Sequence, residues 1–159
     1  MLPQERMENI KAALFDYLET NWTATSKELQ GETALDTADP TLTEWVWFGI
    51  IGEGGRHFIR HANAGNMGEL VNYVLECLIN VKPTANILRI DALRDTLVGL
   101  LRRVVIPVTD VAGGTNANIG NLTSNGILAS QPLGMENDVN RHSLLFTFRW
   151  LEEFSPYTS

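Results

Sequence analysis

A single cysteine, Cys77, stands in the 159 residues, so no disulfide can close within the chain and no oxidised scaffold is implied. Basic residues are few: twelve Lys and Arg face nineteen Asp and Glu, for a net charge of −7. An acidic chain without a basic stripe is a poor groove binder for nucleic acid, because that affinity comes mainly from Lys and Arg neutralising phosphates. Binding to an anionic membrane surface is disfavoured for the same reason. Long apolar runs are also missing. The longest, Trp45 to Ile51, falls far short of the ~20 residues a spanning helix needs. The opening residues, Met1 to Arg6, lack the basic and apolar regions of an export leader, and the expectation is a protein made in the cytoplasm. Without export, the glycosylation-like triplets Asn21-Trp22-Thr23 and Asn121-Leu122-Thr123 are chance matches.

Charge of either sign is scarce. Asp, Glu, Lys and Arg make up 19% of the chain, below the roughly 25% of an ordinary soluble domain, which points to a surface partly covered by other subunits. The acids concentrate at residues 1–43, from Glu5 to Asp39, whereas residues 84–107 carry Arg89, Arg94, Arg102 and Arg103 against Asp91 and Asp95. Apolar residues reach 44%, with four Trp, six Phe and three Tyr. That is ample for one core, and the length fits one domain over 1–159.

Met7, Ile10, Leu14, Tyr17 and Leu18 repeat at three and four, which predicts a helix over 4–20, with Pro3 suited to its first turn. Residues 23–43 are polar and read as a loop. Glu44 to Ile51 is bulky and β-prone and predicts a strand, closed by a turn at Gly52, Gly54 and Gly55, after which His57-Phe58-Ile59 could continue it. Residues 63–68 read as a second loop. Val71, Tyr73, Leu75, Cys77, Ile79 and Val81 alternate and predict a strand over 69–82. Ile87, Ile90, Leu93, Leu97, Leu100, Leu101 and Val104 form one stripe, a helix over 84–103 laid on a sheet. Val104 to Val111 is β-prone, with Pro107 confining it to an edge or entry position. Ala112 to Gly126 is Gly- and Asn-rich and reads as a long flexible loop, and Ile127 to Met135 as a strand broken by Pro132. Leu144, Phe146, Phe148 and Trp150, alternating with other apolar residues, predict a central closing strand. The fold class is therefore α+β: a mostly antiparallel sheet flanked by an N-terminal helix and a central amphipathic helix.

Chemistry-bearing patterns are sparse. His57 and His61, with Cys77 and His142, could be imagined as a metal set, but the segment around His57 reads extended and no ligand spacing supports them. Gly52-Glu53-Gly54-Gly55 lacks the Lys-Ser or Lys-Thr of a phosphate loop and reads as a turn. No nucleophile elbow is present, Cys77 sits in an apolar alternation as a small core residue, and Glu28, Glu32, Asp36 and Asp39 read as a solvated face. No catalytic residue, cofactor or metal is expected. Two features ask for more than packing. One is the segment 112–126, since such a loop in a compact domain is usually functional. The other is the aromatic excess on strands, Trp45, Trp47, Phe146, Phe148 and Trp150, which would mark an interface wherever exposed.

Residues 108–120, Val-Thr-Asp-Val-Ala-Gly-Gly-Thr-Asn-Ala-Asn-Ile-Gly, are similar to a β-hairpin arm of phage minor tail and tail-terminator proteins. Residues 141–153, Arg-His-Ser-Leu-Leu-Phe-Thr-Phe-Arg-Trp-Leu-Glu-Glu, are similar to their closing strand. The order of elements along most of the chain also resembles the tail terminators of long-tailed bacteriophages, the polar segment 23–43 being a departure. The resemblance implies a structural virion protein rather than an enzyme. It would form a hexameric ring at the head-proximal end of the tail, stopping polymerisation of the tail-tube protein and meeting a head-closure or neck protein. Genomic DNA would pass through an acidic lumen without specific binding, and no membrane is involved. The segment 108–126 would then be an extended arm, and Val111, Gly113, Gly114, Asn116 and Asn118, with Trp45 and Arg149, the subunit interface. Two alternatives stay open: another neck component, such as a head-closure or adaptor subunit, and a small α+β ligand-binding or regulatory domain with the Gly/Asn loop as a lid. An enzyme would require His57, His61, His142 and an acid to converge.

Overall fold

The computed structural model describes residues 3–29, 42–60, 67–83, 88–136 and 138–154. The elements are α1 (Pro3–Asn21), β1 (Ser26–Leu29), β2 (Glu44–Arg60), β3 (Met67–Val81), α2 (Arg89–Leu101), β4 (Val105–Thr109), β5 (Asn118–Glu136) and β6 (Val139–Phe154). One six-stranded sheet runs β1-β2-β3-β6-β5-β4. Only the β1–β2 pair is parallel, and every other neighbouring pair is antiparallel. The molecule is thus the expected α+β fold, with β6 between β3 and β5.

Strand alternation decides the core. Phe48, Cys77 and Leu144 stand opposite one another across three strands, followed by Ile50, Leu75 and Phe146. These residues share one face, and α1 and α2 add Ile10, Leu14 and Leu18, and Leu93, Leu97 and Leu101, to the same buried cluster. The four-residue steps within each helix put those side chains on one stripe. Trp22, just past α1, meets Phe48 edge-to-face at 6.2 Å, the arrangement the ring quadrupoles favour, and its Nε1–H donates to Thr25 Oγ1 at 3.0 Å.

Helix ends need partners for their last carbonyls. For α1 the Lys27 ammonium supplies them, donating to the carbonyls of Glu19 at 2.8 Å and Trp22 at 2.7 Å. A cation is also favoured at this negative end of the helix dipole. The Tyr17 hydroxyl donates to the Leu100 carbonyl at 3.2 Å, joining α1 to the end of α2. At the start of α2, Arg89 grips Glu44 with two hydrogen bonds of 2.8 Å. That fork holds the Glu44 carboxyl below its ordinary value of 4.5.

Several expectations need correction. The segment 23–43 is not loop throughout: Ser26–Leu29 pairs with β2 over Trp45–Phe48, a strand too short to announce a period, while residues 30–41 lie outside the described set. The glycines at 52–55 do not turn the chain. β2 runs through them to Arg60, absorbing them as register shifts between Ile50 and Gly52 and between Gly54 and His57, since glycine inside a strand marks a bulge. The central helix is shorter than 84–103, and residues 84–87, with Ile87, are outside the described set, as is most of the expected loop at 63–68. Met67 and Gly68 already belong to β3. Pro132 does not break β5, which shifts register between Pro132 and Gly134 and continues.

Two outcomes test this packing. Leu97, fully buried, cut to Ala should cost about 3 kcal/mol in urea unfolding, the transfer and cavity cost of a core leucine. Glu44→Gln should cost about 0.5 kcal/mol at neutral pH, the scale of a solvated pair. Because the folded carboxyl titrates low, that difference should be complete above pH 4.5 and vanish as the pH falls through the depressed value.

Candidate assembly surfaces

Five of the seven residues assigned to an interface, Val111, Gly113, Gly114, Asn116 and Asn118, fall together at the tip of the β4–β5 hairpin. The tip is wired from within. Asp110 receives hydrogen bonds at its carboxylate from the Gly113 amide at 2.9 Å and the Thr115 hydroxyl at 2.8 Å. Its backbone N–H donates to the Ala117 carbonyl and its carbonyl accepts from Asn116. The donors lower the Asp110 pKa, Thr115 foremost and then the Gly113 amide. A Cβ at Gly113 would stand 2.4 Å from an Asp110 carboxylate oxygen, so only glycine fits beneath this clasp. Gly114, at φ 78°, needs the left-handed region.

The tip is also tied down. Buried Asn9 of α1 accepts a hydrogen bond from the Ala112 amide at 2.8 Å, and its amide lies 3.4 Å from Asp110 Oδ1. Residues 118–126 are strand, paired with β4 and, from Leu122, with β6. The reading of 112–126 as a long flexible loop is therefore wrong: Asx-type hydrogen bonding and strand pairing consume the polar residues that composition assigns to disorder. Val111 stays exposed at this fastened tip.

Trp45 and Arg149 lie on the sheet face opposite the helices, at different ends. Arg149 is exposed and stands in one row with Asn72 and Thr123, at the hairpin-tip end. Trp45 shares a row with Asn80 and Arg141, eight β6 positions away from Arg149, or roughly 27 Å at ~3.4 Å per residue. Only 4% of Trp45 is exposed, so as an exposed interface aromatic it is a correction: its indole is buried within the chain's own fold. Trp45 Nε1, Asn80 Oδ1 and Arg141 Nε, all in that row, are buried with no hydrogen-bond partner among the described residues.

The largest exposed apolar group lies where sequence reading placed only a broken strand. Ile127, Leu128, Leu133 and Met135 of β5 are 43–57% exposed. β4 pairs with β5 only as far as Thr123, so from Ile127 to Glu136 β5 has β6 on one side and no described strand on the other. No charged residue occurs from 126 to 135. The sequence signal for it is an apolar, uncharged, non-alternating run, which Pro132 disguises as a strand end. On the far side of the sheet, β1 covers β2 only at Trp45–Phe48, and Ile51 beyond it is 52% exposed.

The other candidates for chemistry are placed only in part. His57 is in β2, His61 is outside the described set, and His142 lies in β6 with Nε2 2.8 Å from Ser130 Oγ. Burial lowers the His142 pKa, with Arg94 pushing the same way. Cys77 is fully buried and burial pushes its thiol well up. Among the described residues no group of three potential ligands could hold a metal ion, and no helix is long and apolar enough to cross a membrane. An open groove of about 570 Å³ runs between α1 and the β4 edge, lined by Ala13, Asp16, Tyr17, Ile106 and Val111 among others. No family model matches the chain, and no curated protein matches it.

Asn9→Ala and Asp110→Ala should each speed hydrogen exchange of the amides at 112–117, while Leu97 and its neighbours keep their protection. Since Asp110 titrates below its ordinary 3.8, tip protection should persist as the pH falls to that value and be lost only below it.

Proposed function

We propose that this chain is a non-enzymatic structural subunit that joins copies of itself into a ring at the head-proximal end of a phage tail. There it ends polymerisation of the tail-tube protein and links tail to neck. The ring is hexameric, belongs to the virion, and lets genomic DNA pass an acidic lumen without gripping it, because like charge discourages sticking. The resemblance of residues 108–120 and 141–153 to tail-terminator segments names the role. The observation that carries self-assembly is the bare, uncharged, apolar half of β5. An unpaired strand of this kind is a liability in a solitary protein, and a ring closed by rotation needs two different patches on each subunit.

The alternatives differ in observable ways. Another neck component would form rings that fail to cap tubes. A ligand-binding domain has the α1–β4 groove in its favour, and would stay monomeric or dimeric while a small molecule bound there.

Mass photometry over a concentration series, with negative-stain electron microscopy of the same samples, should show rings of uniform size. A species that stays monomeric throughout, including beside tail tubes, sinks the proposal. Val111→Asp and Arg149→Glu, both at exposed positions, should leave thermal unfolding within a few degrees of the parent. Either should lower ring yield or tube capping at least tenfold.

A further inference from the structure

Two long strands of the sheet are each covered along only part of their outer side, and the uncovered parts lie at opposite corners. The rows of the sheet show this directly. Ser130 of β5 stands level with Leu144, Cys77 and Phe48, so the bare half of β5 lies at the end where β2 begins. β1 occupies β2 at that same end, leaving the rest of β2, from Ile51 towards Arg60, without a described strand at the other end. There β4 occupies β5. Each short strand thus covers its own edge of the sheet at the end where the opposite edge is left open.

We infer that the joint between subunits is the bare half of β5 in one copy laid antiparallel against the uncovered part of β2 in the next, the two copies being offset along the strands. The inference rests on the ring reading and deepens it by naming the contact. Strand direction supports it. β2 runs with β6 and against β5, so a second copy facing the same way presents β2 antiparallel to β5, and the sheet continues across the joint. The offset supports it too. When the second copy is displaced by about half a strand, its β1 passes beyond the β5–β6 turn and its β2 ends where β4 begins, so neither short strand is struck. Side chains agree, with Ile127, Leu128, Leu133 and Met135 on one partner and Ile51 on the other. Pro132 withholds one donor, and the register shifts around it interrupt the ladder, which guards this edge against indiscriminate strands. The occupant is a second copy because this chain carries both halves of the fit. The two patches are different, so the contact propagates head to tail and closes only by rotation.

Cysteine pairs and a short bis-maleimide test this, with the buried Cys77 as a silent background confirmed on the parent protein. Met135→Cys together with Ile51→Cys, which the offset brings level across the joint, should give a ladder of covalent oligomers ending at the ring, whereas either substitution alone should give none. A single Met135→Cys variant that yields dimers would show a two-fold β5–β5 contact and overturn the joint. Rings seen by mass photometry without a ladder from the pair would overturn the joint while leaving the ring reading intact. Monomers at every concentration would overturn both. As an independent check, Leu133→Lys should reduce assembly at least tenfold with unfolding unchanged, and assembly at the parent level would count against the contact.

Discussion

A strand hydrogen-bonded on one side only turns the rest of its donors and acceptors outward, and in this sheet that constraint falls on β2 and β5. Four long strands make up the sheet's body, and the two in the middle, β3 and β6, are satisfied on both sides. β2 and β5 are the ones with outer sides to account for. β1 and β4 are each too short to finish the task, four and five residues long. The helices cannot help, since both are committed to the inner face through Leu14 and Leu18 and through Leu93, Leu97 and Leu101. Among the described residues, the outer sides of β2 and β5 are therefore only partly paired.

The inner face was readable because its signals are periodic. Alternation in β3 and β6 and the three-and-four stripe of α2 are produced by burial itself, so core residues such as Tyr73, Phe148 and Leu97 could be named from spacing alone. The borders were not readable, because pairing is decided by backbone partners that leave no period. Ser26–Leu29 is a strand only because β2 lies beside it. Gly52 and Gly54 sit in β2 because bulges absorb them. Asp110 shows the same limit from the other direction: a Gly- and Asn-rich composition suggested freedom, while one carboxylate, one threonine and one buried asparagine on a distant helix removed it. Of the assigned contact residues, the hairpin tip and Arg149 remain on the surface, Trp45 has gone inside, and the apolar run of β5 was passed over.

The row of Trp45, Asn80 and Arg141 carries polar atoms without partners among the described residues, each costing about 1–3 kcal/mol of desolvation. Such a row is hard to explain by stability alone. It lies level with the far end of β5's uncovered length, where Gly134 faces Arg141, so unsatisfied polar atoms and incomplete pairing meet at one end of the sheet.

The position of β6 also bears on how the chain is made. β3 finds its second neighbour only there, across a separation that reaches from Met67 to Phe154. A ribosome delivers β2 and β3 together but supplies β6 much later, so during synthesis β3 waits with one flank unpaired. Closing so long a loop is slow. The nascent chain therefore passes through a half-sheet whose open flank only the last strand closes.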